Sequence, residues 1–202
     1  SEDVWIATYD RGLFRIRAGQ TLSYYESQSL PEKTITLLFR SKTDIFLAVS
    51  ENIVYQHDPK VDQFSKIQFE FDLGDKQPII YSFAQAHNGD IWIGTKDHGL
   101  FIWTRRNQID NQFTLQPTIK SAGLTSSTIY GIQVDSEANL WCSTQNGVVK
   151  LDSKGRLIKR FTTADGLQGN DFTLGASFTS RAGLIYFGGV NGYNRFDPTA
   201  VD

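Results

Sequence analysis

Short apolar runs separated by polar turn residues fill the chain from end to end, and no stretch places its apolar positions at a helical period. In the middle of the chain the runs are IIYSFAQA (79–86), IWIGT (91–95), GLFIWT (99–104) and QFTLQ (112–116). Asn88-Gly89-Asp90, a strong tight-turn sequence, lies between the first two, and Ser136 to Asn139 and Arg181 to Gly183 are its turn-like counterparts later in the chain. Short β-rich runs joined this way predict an antiparallel meander of four strands, A to D.

The meander repeats. Val4 to Thr8 (VWIAT), Ile45 to Val49 (IFLAV), Ile91 to Thr95 (IWIGT), Leu140 to Thr144 (LWCST) and Ile185 to Gly189 (IYFGG) are versions of one B strand. Its second residue is always aromatic, Trp5, Phe46, Trp92, Trp141 and Tyr186, at steps of 41, 46, 49 and 45 residues. That period is the one found in propeller blades, about 40 to 50 residues. Ten residues before an aromatic stands Thr36, Ser82, Gly131 or Ala176; these small side chains suit an innermost strand crowded around a central axis. Gly12, Gly99, Gly147 and Gly192 follow the B strand where a tight B-to-C turn needs positive φ, and Asn52 takes that place in the second repeat. The expected fold is therefore all-β: a β-propeller of four-stranded antiparallel blades, with repeats near 1–30, 31–74, 75–124, 125–167 and 168–202. The first repeat starts at strand B and the last ends after strand C, which predicts a C-terminal fragment of about four to five blades from a longer propeller.

The pieces DIWIGTKDHGLFIW (90–103) and NLWCSTQNGVVKLD (139–152) resemble the repeat of the two-component regulator propeller. Asp165 to Pro198 resembles the last blade of that propeller, ahead of an immunoglobulin-like Y_Y_Y domain. Phe46 in place of Trp, Ala48-Val49 in place of Gly-Thr and Ser143 in place of Gly depart from the pattern. The resemblance implies a non-catalytic, periplasmic ligand-sensing domain of a transmembrane histidine kinase or diguanylate cyclase. Its implied partners are the remaining blades, the Y_Y_Y domain and a second receptor copy. It transfers no ligand; a small molecule or glycan fragment is the expected class.

Composition narrows the alternatives. With 20 basic against 22 acidic side chains there is no electrostatic footprint for nucleic acid or for direct contact with an anionic membrane. No apolar run is long enough to span a bilayer, and the start, SEDVWIATYD, does not read as a signal peptide, so any anchor is expected outside this stretch. His57, His87 and His98 lack metal-ligand spacing, and Cys142 inside a strand reads as a small buried hydrophobe, so no metal or cofactor is expected. The acidic run Glu70 to Asp75 lacks the alternation of a calcium loop, and no nucleophile elbow or phosphate loop is present. A protein-interaction or dimerisation scaffold, or an enzyme acting on carbohydrates through carboxylates that meet only in space, remain the other readings. Trp5, Trp92 and Trp141 are expected to be buried between sheets rather than to form stacking platforms. The polar residues of the B-to-C turns recur around one axis, which makes Tyr9, Arg11, Lys96, His98, Asn146 and Asn191 the candidate ligand-facing rim, with Tyr9 as a stacking surface.

Overall fold

The computed structural model describes residues 3–23, 29–67, 70–71, 77–104, 114–117 and 128–201. They form two compact units, Ser1–Gln68 and Phe69–Asp202. In the first, β1 (Val4–Ala7), β2 (Leu13–Arg17) and β3 (Gln20–Ser23) make one antiparallel sheet in sequence order. β4 (Leu37–Arg40), β5 (Phe46–Ser50), β6 (Ile53–Asp58) and β7 (Gln63–Ile67) make a second. In the other unit, β8 (Glu70–Phe71) lies parallel to β12 (Thr114–Pro117), at the outer side of a meander formed by β9 (Ile80–Gln85), β10 (Ile91–Thr95) and β11 (Leu100–Trp103). β13 (Ile129–Val134), β14 (Leu140–Thr144), β15 (Gly147–Leu151) and β16 (Leu157–Phe161) form the next sheet. A 3-10 turn at Thr163–Asp165 leads to the last, β17 (Phe172–Thr179), β18 (Ile185–Gly189) and β19 (Gly192–Phe196). These are propeller blades, all-β and antiparallel apart from β8, as the repeat predicts. The repeat boundaries at 74/75 and 124/125, and most of the acidic run, lie outside the described residues. Residues 70–71 already pair within the sheet of the following blade.

The blade motif explains itself residue by residue. Its threonine pins the B-to-C turn: Thr8 Oγ1 donates to Gly12 O (2.7 Å), Thr95 Oγ1 to Gly99 O (2.8 Å) and Thr144 Oγ1 to Gly147 O (2.9 Å). Gly147 is needed twice over, because its φ is +93° and a Cβ there would strike the carbonyl of Phe161. In the second blade it is Glu51, at φ 54°, that takes the left-handed conformation, not Asn52; both lie in the two-residue turn between the paired Ser50 and Ile53. The A-to-B turn is held by a side chain just ahead of it. Asp135 accepts from the backbone N–H of Glu137 (2.9 Å) and Asn139 (2.8 Å) and from the indole of Trp141 (2.9 Å), and Ser41 accepts from the N–H of Thr43 and Ile45.

Crowding at the inner strands matches the small-residue rule. A Cβ on Gly131 in β13 would sit 2.6 Å from Ser177 Oγ and 2.7 Å from Ser177 Cβ in β17, so the two inner strands meet where neither carries bulk. Trp92 and Trp141 are 1% exposed. Trp141 reaches the next sheet, with its ring centroid 4.8 Å from that of Phe196. Trp5 departs from the expectation and is only half-buried. It packs on Phe46 (4.7 Å); among the described residues β1 pairs with β2 alone, which sets Arg15 beside Trp5, whereas Trp92 is flanked by Ala84 and Trp141 by Gln133 from a strand on the other side.

Candidate functional site

The motif threonines that fold the B-to-C turns also fix the predicted rim. Arg11 donates its N–H to Thr8 Oγ1 (3.0 Å) and Asn146 its N–H to Thr144 Oγ1 (3.0 Å), which leaves both side chains exposed. Tyr9 is 77% exposed while its carbonyl accepts from Thr34 Oγ1 (2.5 Å). Lys96 is exposed with its N–H on Ile79 O (2.9 Å), and His98 Nδ1 lies 3.1 Å from Lys96 O. Asn191 donates its N–H to Gln168 Oε1 (3.0 Å).

Within each unit, B-to-C turns and D-to-A connections share one end of the blades. Gly12 N–H donates to Lys33 O (2.6 Å) and Gly147 N–H to Asn170 O (2.9 Å), while Thr128 Oγ1 donates to Asp97 Oδ1 (3.0 Å). Lys96 and His98 share one turn; Asn146 and Asn191 occupy the next two. None of the rim residues lines either of the two cavities that follow.

One cavity, of about 190 Å³, is lined by Trp141, Phe161 and Phe196 together with Asp165, Asn194 and Arg195. The other, of about 310 Å³, opens at the opposite, hairpin end of the first unit, and its walls include Asp3, Trp5, Arg17, Arg40, Asp44 and His57. Its ionic groups are mutually engaged. Arg17 grips Asp3 through two hydrogen bonds (2.8 and 2.6 Å), holding that carboxyl below the usual carboxylate range, and Arg40 meets Asp44 at 3.0 Å. Beneath them the buried Arg15 forms two bonds to Asp62 (2.7 and 2.6 Å), and the same carboxylate meets His57 Nε2 at 2.9 Å. The Arg15 guanidinium carbon stands 5.3 Å from the Trp5 ring centroid, and Lys150 stands 5.1 Å from that of Trp141. Strand register pairs Arg15, Lys150 and Arg195 with Trp5, Trp141 and Tyr186. In the sequence the signal for this pairing is the alternation LFRIR (13–17), which sets Arg15 beside Trp5 on the face turned to the next sheet, away from the B-to-C turns.

Residues 74–97 match the sequence model of the two-component regulator propeller. This stretch is a two-component regulator propeller repeat. The chain that carries it is 23% identical over 212 residues to histidine kinase P4 of Formosa agariphila, a match that covers 98% of this chain and 15% of the kinase. Its fold is that of an extracellular domain from B. thetaiotaomicron described as part of a hybrid two-component system, with a TM-score of 0.74 at 18% identity over 96% of this chain and 25% of that one. Virginiamycin B lyase of Staphylococcus aureus shares the fold too, at a TM-score of 0.70 and 16% identity, covering 98% of this chain and 64% of the lyase. At these identities the structural likenesses establish a propeller and no more. The chain spans a small part of its kinase relative.

Proposed function

We propose that the two-component regulator propeller is the extracytoplasmic, signal-receiving part of a bacterial transmembrane receptor with histidine kinase output, and is not itself a catalyst. The observation that carries this reading is the similarity to a histidine kinase along nearly the whole chain, joined to the regulator-propeller repeat at 74–97. A small molecule or glycan fragment binds at the B-to-C end and biases a two-state receptor dimer, as far as its differential affinity for the two states allows. Lys96, His98, Asn146 and Asn191 supply hydrogen-bonding groups at the turns of the second unit, and at the corresponding turn of the first unit Arg11 supplies another and Tyr9 an exposed ring.

The test uses the intact receptor in its own bacterium, with transcription of its target genes as the readout. Deleting residues 74–97 is expected to abolish signal-dependent transcription, and an unchanged response refutes the sensory role. Replacing Arg11, Lys96 and His98 together by alanine is expected to remove the response without moving the unfolding midpoint, since exposed changes usually stay within about 0.5 kcal/mol. An unchanged dose-response curve would exclude this rim.

A further inference from the structure

At the B-to-C end of the second unit the inner strands carry two aromatic rings that the repeat does not require. Tyr81, the second residue of β9, and Tyr130, the second residue of β13, hold the same repeat position, 11 residues before Trp92 and Trp141. At that position the second repeat has the buried Ile35 and the last has Gly175. An aliphatic side chain, or none at all, serves the blade there, so packing alone does not select tyrosine.

The two rings stack. Their centroids lie 6.0 Å apart with planes 15° from parallel, and both side chains are half-buried. Tyr130 also packs against the core shared by the β13–β16 and β17–β19 sheets, which holds the pair in place. Strand register sets the rim groups beside it: Ile80, next to Tyr81, pairs with Thr95, and Ile129, next to Tyr130, pairs with Thr144. The turn after Thr95 is tied to the entrances of both inner strands. Lys96 N–H donates to Ile79 O (2.9 Å), and Asp97 N–H donates to Thr128 Oγ1 (3.2 Å), whose hydroxyl donates to Asp97 Oδ1 (3.0 Å). Asn146 stands in the turn after Thr144. In the neighbouring inner strand, β17 leaves its ladder between the pairs Phe172–Gly189 and Ser177–Phe187, with Thr173 and Leu174 exposed, and a Cβ on Gly175 would meet nothing within 4 Å. The repeat position of a third tyrosine is thus left open.

We propose that the stacked Tyr81 and Tyr130 form the floor of a sugar-binding subsite, on which a pyranose ring lies by its C–H face while Lys96 and Asn146 bond the hydroxyls at its edge. The chemistry of the groups selects this class. A half-exposed tyrosine presents an apolar ring and a hydroxyl together, and a few convergent polar groups around an aromatic surface orient a polar ligand. A wholly apolar ligand would desolvate the ammonium of Lys96 and the amide of Asn146 without giving them partners, and a small ion would gain nothing from the rings. The inference rests on the ligand-sensing reading above and narrows it to one ligand class and to the second unit.

Saturation-transfer NMR on the intact receptor in membrane vesicles tests it, with the methyl pyranosides of glucose, galactose, mannose and xylose as probes and indole as a flat aromatic control. At least one pyranoside is expected to bind and to receive saturation mainly on the C–H protons of one ring face. Its half-saturating concentration should rise at least about tenfold in the Tyr81→Leu, Tyr130→Leu receptor and stay within about threefold in Tyr81→Phe, Tyr130→Phe, which keeps the rings. Binding of no pyranoside, an unchanged half-saturation in the leucine variant, or tighter binding of indole than of every pyranoside would overturn the proposal. None of these results touches the sensory reading, which fails instead if deleting residues 74–97 leaves the transcription response unchanged. Cys142 reports the fold: it is wholly buried and burial pushes its thiol up to about 12, so only an unfolded variant is labelled by a thiol reagent. Where the double leucine variant is labelled, Tyr81→Leu alone is read by the same criterion.

Discussion

Replacing Gly131 by alanine adds one methyl where β13 meets β17. The new carbon would lie 2.6 and 2.7 Å from the side-chain atoms of Ser177, against about 3.5 to 4.0 Å for a relaxed contact. The strands must part by about 1 Å, or Ser177 must rotate and give up the hydrogen bond it accepts from Gln133 Nε2 (3.0 Å). Overpacking of this size costs about 1 to 3 kcal/mol. For a chain of this length about 2 kcal/mol corresponds to a fall in Tm of roughly 4 to 8 °C. Ser177→Gly alone should cost about 1 kcal/mol, through the lost hydrogen bond and added backbone freedom. The double variant Gly131→Ala, Ser177→Gly moves the small residue to the other strand and should recover about 1 kcal/mol or more relative to the sum of the singles. Calorimetric or circular-dichroism melts of the four proteins give the coupling directly. Additive costs, or an unchanged Tm for Gly131→Ala, would refute the claim that close approach of the inner strands is what selects small residues there.

Asp135→Ala removes the acceptor shared by the Trp141 indole and two turn amides and is expected to cost about 2 kcal/mol in a denaturant titration, since those donors are left unmatched. Ala138 holds φ at 66° in the A-to-B turn where Gly89 and Gly183 stand in other blades; Ala138→Gly should raise stability by about 0.5 to 1 kcal/mol, and a lower Tm would count against strain at that residue. Asp62→Ala removes both hydrogen bonds from Asp62 to the buried Arg15, whose next carboxylate, Asp3, stands 3.9 Å away, and should cost about 2 to 3 kcal/mol, less than for a fully buried pair because Asp62 is partly exposed; Arg15→Met, which removes the buried charge, should cost less, and the reverse order in urea melts would refute the reasoning. The carboxyls of Asp3, bonded by Arg17, and Asp197, bonded by Thr199, titrate below their ordinary value. Their stabilisation is therefore complete above the unfolded value of about 3.9 and is lost as pH falls through the lower folded values; Tm should decline below about pH 4, and by less in the Asp3→Asn, Asp197→Asn variant.

The sequence by itself determined the blade. Alternation at period two, the recurring aromatic, the small residue ten positions before it and the turn glycines are local consequences of strand geometry and tight turns, so each is legible without its neighbours. The roles of Thr8, Thr95 and Thr144 follow from the same local logic, because every partner lies within four residues. What the tertiary structure alone decided is which positions meet across sheets. Trp5 repeats Trp92 in sequence, yet it is half-buried where Trp92 is wholly buried, because burial depends on flanking strands and, among the described residues, β1 pairs with β2 alone. Arg15, Asp62 and His57 assemble across two sheets from positions up to 47 residues apart, and Arg17, Asp3, Arg40 and Asp44 line a cavity at the end opposite to the rim read from the turns. No spacing rule encodes that convergence, since it is set by how one twisted sheet packs on the next.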